Sequence, residues 1–144
     1  MKNDELFCVG QKAVIHKSGL VLILHDPIPK PGHVDLPGGK IQEGERDFIK
    51  ALQREVFEET NLHIKVNRPF YTNFWEFPKD SPHRNKGKKI YLVYYDCKYV
   101  SGKVKISTEH DWSKWVDKNS YTNLILGKSV SKDALDCYFK DVFK

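Results

Sequence analysis
A chain of 144 residues that is 40% hydrophobic and 12% aromatic has the apolar mass for one buried core, and too much of it for a disordered, solvating polymer. Its 24 Lys and Arg against 19 Asp and Glu leave a net charge of +5, which suits an anionic partner, from a small phosphorylated metabolite to RNA. The longest aliphatic run, Leu20 to Leu24, is far short of a membrane-spanning helix, and three scattered cysteines make neither a disulfide framework nor a CxxC pair.

Those cysteines, Cys8, Cys97 and Cys137, read as reduced thiols used as small hydrophobes. The opening Met1-Lys2-Asn3-Asp4-Glu5 carries acid where a secretory leader has a basic lead-in to an apolar stretch. The expectation is a cytoplasmic protein, with no membrane partner, folded as a single domain over residues 1–144.

In chain order, Leu6 to His16 predicts a strand, Lys17-Ser18-Gly19 a turn, and Leu20 to Leu24 a short buried strand that closes a hairpin. Asp26 to Gly39 holds four prolines and three glycines and predicts mostly loop. Asp47 to Thr60 contains no Gly or Pro and predicts a helix, with Asp47 as N-cap and Asn61 in the left-handed stop position. Ile64 to Phe77 and Ile90 to Val100 predict strands, separated by a lysine-rich polar loop, Pro78 to Lys89. Ser113 to Val116 predicts a weaker strand and Ala134 to Phe143 a closing helix, with Leu135, Tyr138, Phe139 and Val142 on one side. The whole predicts one mixed α/β fold.

The chemistry concentrates on the central helix. Glu55, Glu58 and Glu59 stand at i, i+3 and i+4 and project from one face, beside an apolar stripe of Phe48, Leu52 and Val56. Like charges at that spacing repel, and more so when desolvated. Only Arg54 is adjacent to offset them, so a divalent cation turns the liability into a site. Hard oxygen ligands with incomplete protein coordination suit Mg²⁺ or Mn²⁺ and leave room for water and phosphate oxygens. Pro37-Gly38-Gly39 just ahead allows tight turning and close backbone approach to this helix.

Leu36-Pro37-Gly38-Gly39, Glu45 and Arg54-Glu55-Val56-Phe57-Glu58-Glu59-Thr60-Asn61-Leu62 together resemble the Nudix box. Two departures stand out. Eight residues, Arg46 to Gln53, lie between Glu45 and Arg54 where the box has seven, and Asn61 stands in place of the last glycine. An extra residue near Arg46-Asp47, at the joint of loop and helix, leaves the later glutamates unrotated.

The resemblance implies a Nudix-like α/β/α sandwich, a mixed β-sheet with a central catalytic helix and a C-terminal helix. It implies Mg²⁺-dependent (or Mn²⁺-dependent) hydrolysis of a pyrophosphate bond in a nucleoside diphosphate derivative, by attack of water on phosphorus with no covalent enzyme intermediate. By position in the motif, Glu55, Glu58, Glu59 and a backbone carbonyl at Gly38 hold the metal, Lys40 faces a phosphate, and Arg54 orients a glutamate. The base that deprotonates the water is Glu55, or a carboxylate from a later loop, for which Glu109 in Thr108-Glu109-His110-Asp111 is the first candidate. His110 and Glu76 follow it.

Substrate signals are sparse. Tyr71, Phe74, Trp75 and Phe77 contain a stacking surface for a base, with Trp75 as its representative, although alternation turns some of them to the core. Pro78, sixteen positions past Leu62, lies near where ADP-ribose-cleaving relatives carry a proline. The expected partner is a small nucleotide, a nucleoside triphosphate or an ADP-ribose-like molecule. The alternatives are RNA 5′-pyrophosphohydrolysis and a non-catalytic nucleotide or RNA sensor. Relatives often form homodimers.

Overall fold
Ser18 and Gly19 alone reverse the chain between β1 (Cys8–Lys17) and β2 (Leu20–Asp26), at φ 51° and 81°. Positive φ at both central residues is the type I′ geometry whose twist matches an antiparallel hairpin. The structure, a computed structural model, describes residues 2–27, 33–80, 86–125 and 129–143.

The hairpin pairs only at His16–Val21 and Lys17–Leu20, and then its strands part. β1 runs on between a short antiparallel strand, β4 (Gly38–Lys40), and a long parallel one, β6 (Lys89–Ser101). β2 runs on between β3 (His33–Asp35) and β7 (Trp112–Val116), both antiparallel to it. β5 (His63–Glu76) lies antiparallel along β6. The seven-stranded mixed sheet therefore opens into two wings. The chain at Pro37 is stitched into the opening: the Ala13 N–H donates to the Pro37 carbonyl and the Ile41 N–H to that of Val9, both at 2.8 Å.

Alternation along β1 and β2 supplies two cores. Ala13, Ile15, Leu22 and Leu24 face one side, where Leu52 and Val56 of α1 (Phe48–Thr60) cover them. Val14, Val21 and Ile23 face the other, covered by Leu135 of α3 (Val130–Cys137) and by Tyr138 in the π-helical turn Tyr138–Val142 that prolongs it. A one-turn helix, α2 (Tyr121–Leu124), precedes α3. Helices on both faces of a mixed sheet make the expected α/β/α sandwich. No helix among the described residues is long and apolar enough to cross a membrane, and all three cysteines are free.

The central helix begins and ends as its local sequence dictates. Asp47 Oδ1 accepts the Lys50 N–H at 3.1 Å, and Asn61 adopts φ 64°, its N–H closing the helix on the Phe57 carbonyl. Replacing Asp47 by Ala is expected to cost about 1 kcal/mol of stability, read by chemical denaturation.

Four expectations are corrected. The segment from Asp26 to Gly39 is not mostly loop where it is described, because β3 forms and β4 begins within it, held by ladder bonds to β2 and β1; residues 28–32 lie outside the described residues. Phe48 is no part of the buried stripe: it is 45% exposed, and Ala51 takes that place beside Leu52 and Val56. The C-terminal helix starts at Val130, since Ser129 Oγ accepts the Lys132 N–H at 3.0 Å. The short α2 was not anticipated at all. Of the lysine-rich loop, residues 81–85, including Arg84, lie outside the described residues.

Candidate active site
Two adjacent glycines bring the loop against the central helix. A Cβ on Gly38 would sit 1.9 Å from the Gln11 carbonyl oxygen, because the β4 backbone there is pressed onto β1. A Cβ on Gly39 would meet the Glu55 carboxylate at 2.6 Å. Glycine at 38 lets the loop lie against β1, and glycine at 39 leaves room for the Glu55 carboxylate of α1. The Gly38 N–H, turned out of the strand, donates to Glu59 Oε1 at 2.7 Å. The sequence placed Gly38 near the metal through its carbonyl; the contact the structure adds is through its amide.

Arg54 gathers the remaining acids. Its Nη1 reaches both Glu58 oxygens, at 3.0 and 3.1 Å, while Nη2 reaches Glu55 Oε1 at 3.1 Å and Glu45 Oε2 at 3.2 Å. The guanidinium fork thus spans three carboxylates, which a point-charged ammonium cannot do. Glu45 belongs to this cluster despite the extra residue before the helix. Gln42 to Glu45 form a turn with Gly44 at φ 90°, Glu45 Oε1 accepts the Gln42 N–H, and Arg46 lies exposed ahead of Asp47. That backbone bond, with Arg54 second, holds the Glu45 carboxyl below its usual range.

The acids differ in environment. Glu58 is more than half exposed, whereas Glu59 is buried. Burial pushes the Glu59 carboxyl up to about 7, against the opposing pull of Lys12 and the Gly38 N–H. Burial also raises Glu55, with repulsion from Glu58 adding to it and Arg54 opposing. Beneath Glu59, Lys12 Nζ pairs with Asp35 Oδ2 at 2.8 Å. Asp35 Oδ1 also accepts the Leu36 N–H and the Ser131 hydroxyl, so β1, β3, the loop and α3 are tied at one carboxylate. Burial alone would lower Lys12 and raise Asp35. Their pairing overrides both effects, holding Asp35 at about 2 and Lys12 above its ordinary value.

The distal loop docks on the end of α1 by two backbone bonds, Lys105 N–H to the Thr60 carbonyl and Ser107 N–H to that of Glu59. It delivers His110 to Glu59: Nε2 stands 3.9 Å from Glu59 Oε2, with the imidazole side chain only 7% exposed. Burial holds His110 below the usual imidazole value. Glu109, ranked ahead of it from the sequence, sits on the exposed turn beside it. Glu76 lies exposed at the end of β5, opposite Lys89.

The aromatic run on β5 is divided. Tyr71 and Phe77 pack on the core under α3, while Phe74 and Trp75 are exposed. Trp75 pairs opposite Ile90, and Lys40 opposite Gly10, whose own Cβ would strike Leu92 and Ile90. Trp75 and Lys40 therefore lie on the same face of the sheet, the one covered by α3 and opposite α1, three strands across and two residues along, roughly 16 Å apart.

Among the described residues no three His, Cys, Asp or Glu side chains converge as a ready metal site, since Arg54 holds Glu55 and Glu58 and the Gly38 amide holds Glu59. The donor chemistry nonetheless fits a hard divalent cation. Three carboxylates share one helix face, and two of them carry a burial cost that a cation would relieve.

The model of the NUDIX domain matches residues 9–136. Solved structures share the fold. A NUDIX hydrolase from Nitrosomonas europaea aligns with a TM-score of 0.73 at 18% identity, covering 96% of this chain and 97% of that one. A MutT protein from Methanosarcina mazei Go1 aligns at 0.65 and 27% identity, over 81% and 80%. An ADP-ribose pyrophosphatase from Streptococcus suis aligns at 0.66 and 19% identity, over 95% and 93%. No curated protein matches significantly in sequence.

Proposed function
The chain belongs to the Nudix family, and from that premise we propose that it is a pyrophosphohydrolase that cleaves a pyrophosphate bond in a small nucleoside diphosphate derivative with the help of Mg²⁺ or Mn²⁺. The observation that carries this reading is the Arg54 fork holding Glu45, Glu55 and Glu58 in register beside a buried Glu59.

Glu55, Glu58 and Glu59, with the backbone at Gly38, are the residues that would hold the ion. When bound, it supplies positive charge to the phosphate oxygens and acidifies water. The protein's own part is positional. Arg54 keeps its acids from splaying into solvent, and the Gly38 amide fixes one oxygen of Glu59 and leaves the other without a hydrogen bond among the described residues. Lys40 takes a phosphate and Trp75 a base. Glu55, or Glu109 on the distal turn, accepts the proton of the attacking water.

A nucleoside triphosphate or an ADP-ribose-like molecule is the substrate class we favour. RNA 5′ ends, or nucleotide sensing without turnover, are the alternatives. The domain occupies residues 1–144, and a homodimer is tested by sedimentation.

A panel of nucleotides incubated with Mg²⁺ and with Mn²⁺, products identified by mass, tests the proposal. Release of a nucleoside monophosphate with phosphate, pyrophosphate or a phosphorylated leaving group is expected. Tight binding of one member without any release would establish the sensor instead. Arg54→Lys is expected to lower turnover about tenfold while changing stability little, because the side chain is substantially exposed and only its fork geometry is lost. Wild-type kcat in that variant would remove Arg54 from the machinery.

A further inference from the structure
His110 is expensive where it stands. Its side chain is 7% exposed, and among the described residues Nδ1 is buried with no hydrogen-bond partner, as is the hydroxyl of Ser107 on the same loop, while it is the other nitrogen, Nε2, that faces Glu59. Leaving a buried polar group unpaired costs about 1–3 kcal/mol, which an apolar side chain on this loop would avoid. The other ring nitrogen, Nε2, stands 3.9 Å from Glu59 Oε2, beyond hydrogen-bond reach. That oxygen makes no hydrogen bond among the described residues, while its twin takes the Gly38 amide. A nitrogen and a carboxylate oxygen less than about 4.2 Å apart can both touch one ion, since each bond to a transition metal is about 2.1 Å. The loop carrying His110 is bonded by its backbone to Glu59 itself, through the Ser107 N–H, so the spacing is built in.

We propose that His110 Nε2 is a nitrogen ligand completing the cation position at Glu59, and that this site therefore favours nitrogen-accepting divalent ions such as Mn²⁺ over Mg²⁺. The inference rests on the reading of Glu59 as a metal-holding residue. It adds a ligand that lies outside the glutamate-bearing helix and a consequence for ion choice, because an imidazole nitrogen binds first-row transition ions, Mn²⁺ the most weakly of them, whereas Mg²⁺ keeps to oxygen.

The direct test is pulsed electron paramagnetic resonance on the full chain loaded with Mn²⁺ alone. Spin-echo modulation from one directly bound nitrogen is expected, shifting when the histidines are ¹⁵N-labelled and vanishing in His110→Ala. Calorimetry is expected to show Mn²⁺ affinity falling about tenfold in His110→Ala and in His110→Gln, with Mg²⁺ affinity changing less than about twofold. Bound Mn²⁺ without nitrogen modulation in the wild-type protein overturns the proposal, whatever the variants do. So does an equal loss of Mg²⁺ and Mn²⁺ affinity in folded variants. Nitrogen-coupled Mn²⁺ in a protein that hydrolyses nothing leaves this ligand standing and ends the hydrolase reading. Hydrolysis with oxygen-only Mn²⁺ does the reverse.

Discussion

Glu59→Gln is expected to cut turnover by at least about a hundredfold and, in the same protein freed of metal by chelation, to raise stability at pH 8. The two effects have one cause. Glu59 is buried, and burial lifts its carboxyl from an unfolded value of 4.5 to about 7. Below about pH 4.5 both states hold the proton and the residue contributes nothing to the pH dependence. Between 4.5 and 7 the unfolded chain releases the proton while the folded chain keeps it, so stability falls as pH rises. Above 7 the loss levels off at up to about 3 kcal/mol. Glutamine removes that cost and still offers an oxygen to the Gly38 amide. The stability gain should therefore be near zero at pH 4.5 and largest at pH 8, measured by denaturation in the presence of a chelator. Turnover falls because a neutral amide cannot replace a charged ligand at a site whose work is electrostatic. A pH-independent stability difference would show that the buried carboxylate carries no such charge cost. An unchanged kcat would remove Glu59 from the site.

The two glycines of the loop are expected to separate folding from activity. Gly38→Ala places a methyl group 1.9 Å from the Gln11 carbonyl, and the obstacle is backbone on both sides. The β4–β1 pairing has to open, at a cost of about 3 kcal/mol or more, and activity goes with it. Gly39→Ala instead strikes the end of the Glu55 side chain at 2.6 Å, and a carboxylate can swing aside. Stability should change by no more than about 1 kcal/mol, while turnover falls about a hundredfold because Glu55 leaves the Arg54 fork. Thermal denaturation and initial rates on the two variants decide it. A Gly39→Ala enzyme working at the wild-type rate would mean that the position of Glu55 against the loop is immaterial.

Much of this site is legible from sequence because it is local. Glu55, Glu58 and Glu59 share a helix face by spacing alone, and both caps, Asp47 and Asn61, are decided within one turn of the residues they serve. The long strands β5 and β6 are legible for the same reason, being dense in β-branched and aromatic residues. β3 and β4 are not, since three residues with prolines and glycines around them become strands only when β2 and β1 supply hydrogen bonds. The fate of the aromatic run on β5 was also hidden. Pairing with β6 is regular from Tyr71 to Glu76, so alternation puts Tyr71, Trp75 and Phe77 on one face, and that Trp75 is nonetheless exposed depends on what the rest of the fold lays over that end of the sheet.

By itself, then, the chain's order of residues determined which acids stand together on the helix, which family they mark and where the helix stops. Tertiary structure alone decided that Glu45 still reaches Arg54 across an insertion, that the Gly38 amide binds Glu59, and that His110 is set beside that buried carboxylate. The physical reason is distance along the chain. A helix face is set by a repeat of a few residues, whereas a buried charge depends on what other segments, brought in by the sheet, place around it.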